Sequence, residues 1–239
     1  MTLTTKRAIV IVGSIVALLT VLALAVPAMG RIVQSTSHGT HELPAGLVRL
    51  DLDGQVGDIR IRAAAQGEEP HADVTVRSGL TDPEVTSEVN ADSAELVSAC
   101  QDWWWVDNCS VEWDIVVPRD TELTIRNDVG EITVTEVIGP LSVTSGVGGL
   151  AAHDIGSPTV QASSRVGDIT LELVSPPQQI EATSSTGDVT VAVPNDGSGY
   201  RVLTDTSVGS VTNELGSDRE EDRVIDVSTS VGDITLRRG

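Results

Sequence analysis

The sequence predicts an all-β protein: a single-stranded-coil β-solenoid of the parallel β-helix type, with an irregular N-terminal β cap, preceded by one transmembrane helix. Three observations carry this reading. A glycine-centred phrase recurs at nearly constant spacing, alternating β-branched segments flank it, and one charge-free apolar run lies near the N-terminus.

The apolar run covers residues 8–29, after Lys6 and Arg7 and before Arg31. Its 22 residues reach roughly 33 Å as a helix, enough to cross a hydrocarbon core of about 30 Å. Val26-Pro27 disturbs the pattern only where the helix would leave the bilayer. Lys6, Arg7 and the terminal amine against Arg31 alone favour an N-terminus inside and everything after Gly30 outside. A cleavable signal peptide is the competing reading, since Ala23-Leu24-Ala25 and Ala28-Met29-Gly30 loosely match its cleavage pattern. The length of the run favours a retained signal anchor. Residues 1–7 are then a cytoplasmic tail, 8–29 the membrane helix and 30–46 a polar stalk containing His38 and His41. The expected location is the cell membrane, single-pass, with the C-terminal domain extracytoplasmic.

Residues 1–31 hold three of the 15 basic residues and none of the 35 acidic ones, so the remainder carries 12 against 35, a formal charge of −23. That balance excludes nucleic acid as a partner. Cys100 and Cys109 both fall in the exported part, where a disulfide is the expected state. The interior must be aliphatic, because Phe is absent, Tyr occurs once and all four Trp fall between positions 103 and 113.

The repeat phrase reads Val56-Gly57-Asp58-Ile59, Val129-Gly130-Glu131-Ile132, Val147-Gly148-Gly149-Leu150, Val166-Gly167-Asp168-Ile169, Thr186-Gly187-Asp188-Val189, Val208-Gly209-Ser210-Val211 and Val231-Gly232-Asp233-Ile234. From Gly130 on, the glycines are 18, 19, 20, 22 and 23 residues apart. Alternation on both sides of each glycine indicates strands with one buried face. The glycine suits a tight bend where the backbone approaches the next rung. About 20 residues at roughly 3.3 Å give a perimeter near 66 Å, which suits a flattened coil of two or three short strands. Residues 121–239 should therefore make five to six rungs paired through parallel strands, each burying the apolar face that one rung alone cannot. An antiparallel sandwich of the same strands is the alternative. Arg237 and Arg238 at the end of the final strand, 234–236, read as charges that guard an exposed last rung.

Residues 47–120 read as a less regular lead-in that caps the stack. Strands are expected over 47–53, 58–63, 72–78 and 111–117, with an acidic irregular stretch up to Cys100.

With the anchor, the lead-in over 47–62, the phrase Asp114-Ile115-Val116-Val117-Pro118 and the Gly-Asp/Glu-Ile/Val-Thr repeats, residues 47–239 resemble the bacterial putative-adhesin family of β-strand-repeat envelope proteins. The resemblance implies a right-handed or related β-solenoid facing the outside, sometimes considered alongside envelope-stress proteins. It brings no catalytic residues.

Trp103-Trp104-Trp105, inside the Cys100–Cys109 loop, is the foremost candidate contact surface: an aromatic knuckle able to meet a glycan, an envelope protein or the membrane interface. A hydrophobic lid over the first rung is the competing reading. Trp113, on a strand, belongs to the core. The acidic turn residues run Glu131, Gly149, Asp168, Asp188, Ser210, Asp233 in sequence order, so only Asp168 and Asp188 would be acidic in consecutive rungs. That pattern gives turn chemistry and no metal column. His38 and His41 lack further ligands, His71 and His153 stand alone, and no nucleophile–base grouping or phosphate loop is present. The expected protein is a non-enzymatic, cofactor-free envelope component with an adhesin-like interaction or scaffolding surface. A sensory or regulatory part of an envelope-stress system is the alternative.

Overall fold

The computed structural model describes residues 35–79, 82–100 and 109–239, and every regular element among them is a β-strand. The first seven strands are β1 (Ser35–Glu42), β2 (Arg49–Val56), β3 (Ile59–Ala63), β4 (His71–Ser78), β5 (Glu84–Val89), β6 (Ser93–Ala99) and β7 (Ser110–Val117). Six more follow: β8 (Glu122–Val129), β9 (Ile132–Thr135), β10 (Leu141–Val147), β11 (Leu150–Ile155), β12 (Thr159–Val166) and β13 (Ile169–Leu173). The last are β14 (Gln179–Thr186), β15 (Val189–Val193), β16 (Arg201–Val208), β17 (Val211–Asn213), β18 (Val224–Val231) and β19 (Ile234–Arg238).

They form two sheets. One has the order β1-β4-β7-β3-β9-β11-β13-β15-β19-β17 and the other β16-β18-β14-β12-β10-β8-β2-β6-β5. Each rung is a strand of the second sheet, a corner, and a strand of the first. Along the stack the rungs run β6/β7, β2/β3, β8/β9, β10/β11, β12/β13, β14/β15, β18/β19 and β16/β17. All neighbouring rungs pair in parallel, for example Val143 with Ala162 and Ala162 with Ala182, which excludes the antiparallel sandwich. Six rungs come from residues 121–239, within the expected number.

The strands form because alternate residues find a dry interior. Leu123 and Ile125, Ile180 and Ala182, and Ile225 and Val227 point inward from one sheet; Ile132 and Val134, Val189 and Val191, and Ile234 and Leu236 point inward from the other, all buried. The core is aliphatic throughout the repeats, with Trp113 and Tyr200 as its aromatic members.

The corners explain the glycines. Gly167 has φ +151°, and a Cβ placed there would lie 2.0 Å from the carbonyl oxygen of Gly148 in the rung before. The same contact recurs from Gly57 to Gly232, so each corner accepts neither an ordinary L-residue's backbone angle nor a side chain.

Four expectations need correction. Residues 35–42, assigned to the stalk, form β1, an edge strand held antiparallel to β4 over eight residue pairs; polar on both faces, it gives no hydrophobic period to read. The stretch before Cys100 contains β5 and β6, and Ala94, Leu96 and Ser98 of β6 point inward. The lead-in is more than a cap, because β2/β3 and β6/β7 are themselves rungs. Finally, β19 lies between β15 and β17, so Arg237 and Arg238 do not guard the end of the stack. The membrane helix expected over 8–29 lies outside the described residues, among which no helix is long and apolar enough to cross a membrane.

Candidate interaction surface

The tryptophan loop, residues 103–105, lies outside the described residues, but its two ends are placed. Cys100 and Cys109 form a disulfide with Cα atoms 6.0 Å apart, both largely buried. They stand where the other rungs carry the glycine corner, between β6 and β7. The Cys100 N–H donates to Gln55 Oε1 at 2.6 Å, tying the loop base to the corner of the next rung. Trp113 is core, 1% exposed, and its indole N–H donates to Ser98 Oγ at 3.2 Å.

Seven glycine corners form one column: Gly57, Gly130, Gly148, Gly167, Gly187, Gly232 and Gly209 in stack order. A row of carboxylates runs beside it. Because the Ser210 rung lies outside the Asp233 rung, Asp168, Asp188 and Asp233 are consecutive in space, which corrects the order read along the sequence. Asp168 Oδ1 accepts the Asp188 N–H, Asp188 Oδ1 the Asp233 N–H, and Asp233 Oδ1 the Ser210 N–H, at 2.8, 2.8 and 2.7 Å. Each acid therefore satisfies a corner amide of the next rung. The Ser210 N–H bond, then the Ser210 hydroxyl, hold the Asp233 carboxyl below its ordinary pKa. Among the described residues, no group of three His, Cys, Asp or Glu side chains is placed to hold a metal ion.

A second row went unread in the sequence. Three positions before each repeat glycine from Gly130 stands Asn127, Ser145, Ser164, Ser184, Thr206 or Thr229. Their side chains turn inward under the corner. Asn127 donates to the Gly57 carbonyl, Ser184 to that of Gly167, Thr229 to that of Gly187 and Thr206 to that of Gly232, at 2.8–3.1 Å. The signal was the recurrence of small polar residues at a position that alternation assigns to the core.

On the outer faces, His153 and Arg237 converge on Glu172, at 2.8 and 3.1 Å. The His153 hydrogen bond chiefly holds the Glu172 carboxyl below its ordinary pKa. This contact is what Arg237 makes in place of guarding an end. His38 and His41 do not converge: His38 Nδ1 meets Thr75 Oγ1 and His41 Nδ1 meets Ser87 Oγ, each at 3.0 Å. His71 Nδ1 bonds the Glu69 carbonyl. One shallow trough crosses three rungs of the outer face, lined by Ser142, Thr144, Gln161, Ser163, Glu181 and Thr183.

The stacked, glycine-cornered rungs define a β-strand-repeat protein of the putative-adhesin type. Residues 112–237 match the family described as Toastrack DUF4097, and the chain belongs to it. Among solved structures, a putative cell adhesion protein from Clostridium sporogenes is similar at 14% identity and a TM-score of 0.52, over 86% of this chain and 100% of that one. A putative adhesin from Bacteroides fragilis is similar at 15% identity and a TM-score of 0.47, over 86% and 97% of the two chains. At 14% identity the likeness to the Clostridium sporogenes protein is one of fold. No curated protein matches the sequence.

Proposed function

We propose that this chain is a non-enzymatic, membrane-anchored protein of the cell envelope, whose rigid β-stack serves as an adhesin-like interaction or scaffolding surface. The observation that carries this reading is the stack itself. Parallel register converts short strands into two continuous sheets whose outward residues repeat at about 4.8 Å from rung to rung. Such faces suit extended contact with a protein or glycan. The adhesion name given to the Clostridium sporogenes protein agrees with this use. Anchoring rests on the charge-free run 8–29, which would hold the stack outside the membrane with Lys6 and Arg7 inside.

Contact is proposed to centre on Trp103, Trp104 and Trp105, which stand in the sequence between the disulfide-bonded Cys100 and Cys109. The test is a pull-down from intact membranes, comparing wild type with Trp103→Ala/Trp104→Ala/Trp105→Ala, with equal folding checked by circular dichroism. Selective loss of a captured partner from a folded variant is expected. Unchanged capture refutes the loop as the contact, and a destabilised variant makes it a lid.

A further inference from the structure

The stack ends on a rung that departs from the repeat. Register sets Val202, Thr204, Thr206, Val211 and Asn213 beside Ile225, Val227, Thr229, Ile234 and Leu236 of the rung before. Two inward positions thus turn polar on this end rung, Thr204 beside Val227 and Asn213 beside Leu236. β17 is exposed throughout, and in β16 only Val202 and Thr206 are partly buried.

The backbone of this edge is also restricted. Arg201 N–H donates to the Arg223 carbonyl at 2.8 Å, so residues 201, 203 and 205 direct their amides to β18 while 202, 204 and 206 direct theirs to the open side. At Val202 that side is filled: its N–H donates to Ser217 Oγ at 3.1 Å and its carbonyl accepts from the same hydroxyl at 3.3 Å. The Val208 carbonyl turns back into the stack to accept the Gly232 N–H at 2.9 Å. Thr204 and Thr206 remain as the pairing groups of β16.

Each two-fold antiparallel register that uses them for a second copy meets an obstacle. Setting Thr204 against Thr206 of the other copy places Asp205 directly against Asp205, two like charges on one face. Setting Thr204 against itself brings Thr206 to Val202, whose groups Ser217 holds. Setting Thr206 against itself brings Thr204 to Val208, whose carbonyl faces inward. We infer that β16 is an assembly-blocking edge, which closes its sheet to two-fold pairing with a second copy of the chain.

The test uses full-length protein in detergent, with mass measured by light scattering after size exclusion. Asp205→Val/Ser217→Ala removes two obstacles at exposed positions and leaves the core untouched. Wild type is expected at the mass of one copy, and the double variant at twice that mass as concentration rises. Adding Thr204→Pro, which deletes an edge donor, should return it to one copy. A double variant that stays at one copy, a dimer that Thr204→Pro leaves intact, or a wild-type dimer that Thr204→Pro dissociates would each overturn the proposal.

Discussion

The rungs β18/β19 and β16/β17 carry the same phrase, Val231-Gly232-Asp233-Ile234 in one and Val208-Gly209-Ser210-Val211 in the other, yet occupy opposite situations. β18/β19 is last in sequence but lies inside the stack, with Ile225, Val227, Ile234 and Leu236 fully buried. β16/β17 comes first and takes the end, leaving Val211 exposed where its partner Ile234 is fully buried. The difference teaches that inward composition, and not chain order, sets a rung's place. A rung with four large aliphatics gains most where both of its neighbours remove water. A rung with Thr204 and Asn213 at two of the same four positions loses least at the end.

The largest effect that would break this contrast is at the corners. Gly187 and Gly209 are equally tight, since a Cβ would meet a glycine carbonyl at 2.2 and 2.0 Å and both have φ near +150°. Gly187→Ala should cost about 4 kcal/mol of global stability in urea unfolding. Gly209→Ala should release only the end rung and barely move the midpoint; equal losses would mean that the end rung folds with the rest. Next, Ile225→Ala should cost about 3 kcal/mol and Val202→Ala under about 1 kcal/mol, both by urea unfolding. The reverse ranking would place the wrong rung inside.

The smallest effect concerns the tie between the two rungs. Asp233 accepts both the N–H and the hydroxyl of Ser210, and its pKa is lowered in the folded state. Its stabilising contribution is therefore fully present above the ordinary Asp value and is lost as pH falls through the lower, folded value. The Ser210 amide resonance should titrate with a midpoint below the ordinary Asp range. A midpoint at the ordinary value would show that this tie does not form.

Much of this fold was legible. Spacing of the glycines gave the rungs, and alternation about them gave the inward Ile, Val and Leu. What escaped has physical causes. β1 pairs by backbone alone along a polar edge, so no periodicity marks it. Stacking order is a long-range property, and reading rungs in sequence order hid the run Asp168, Asp188, Asp233 and misplaced Arg237. The inward Thr204 and Asn213 were a visible hint that the 201–213 unit suits an end. Of the candidate site, the Cys100–Cys109 pairing was legible from cysteine count and compartment, whereas the buried Ser, Thr and Asn row looked like ordinary turn residues.

The most direct test of the stacking order is cysteine cross-linking across β14. Thr183 Oγ1 lies 3.1 Å from Ser228 Oγ in β18, whereas Asp205 of β16 pairs with the far side of Ser228. Thr183→Cys/Ser228→Cys should cross-link readily in the folded protein, and Thr183→Cys/Asp205→Cys should not. Cross-linking of the second pair and not the first would mean that the rungs stack in chain order, and the account of an inserted C-terminal rung beneath an end cap would fail.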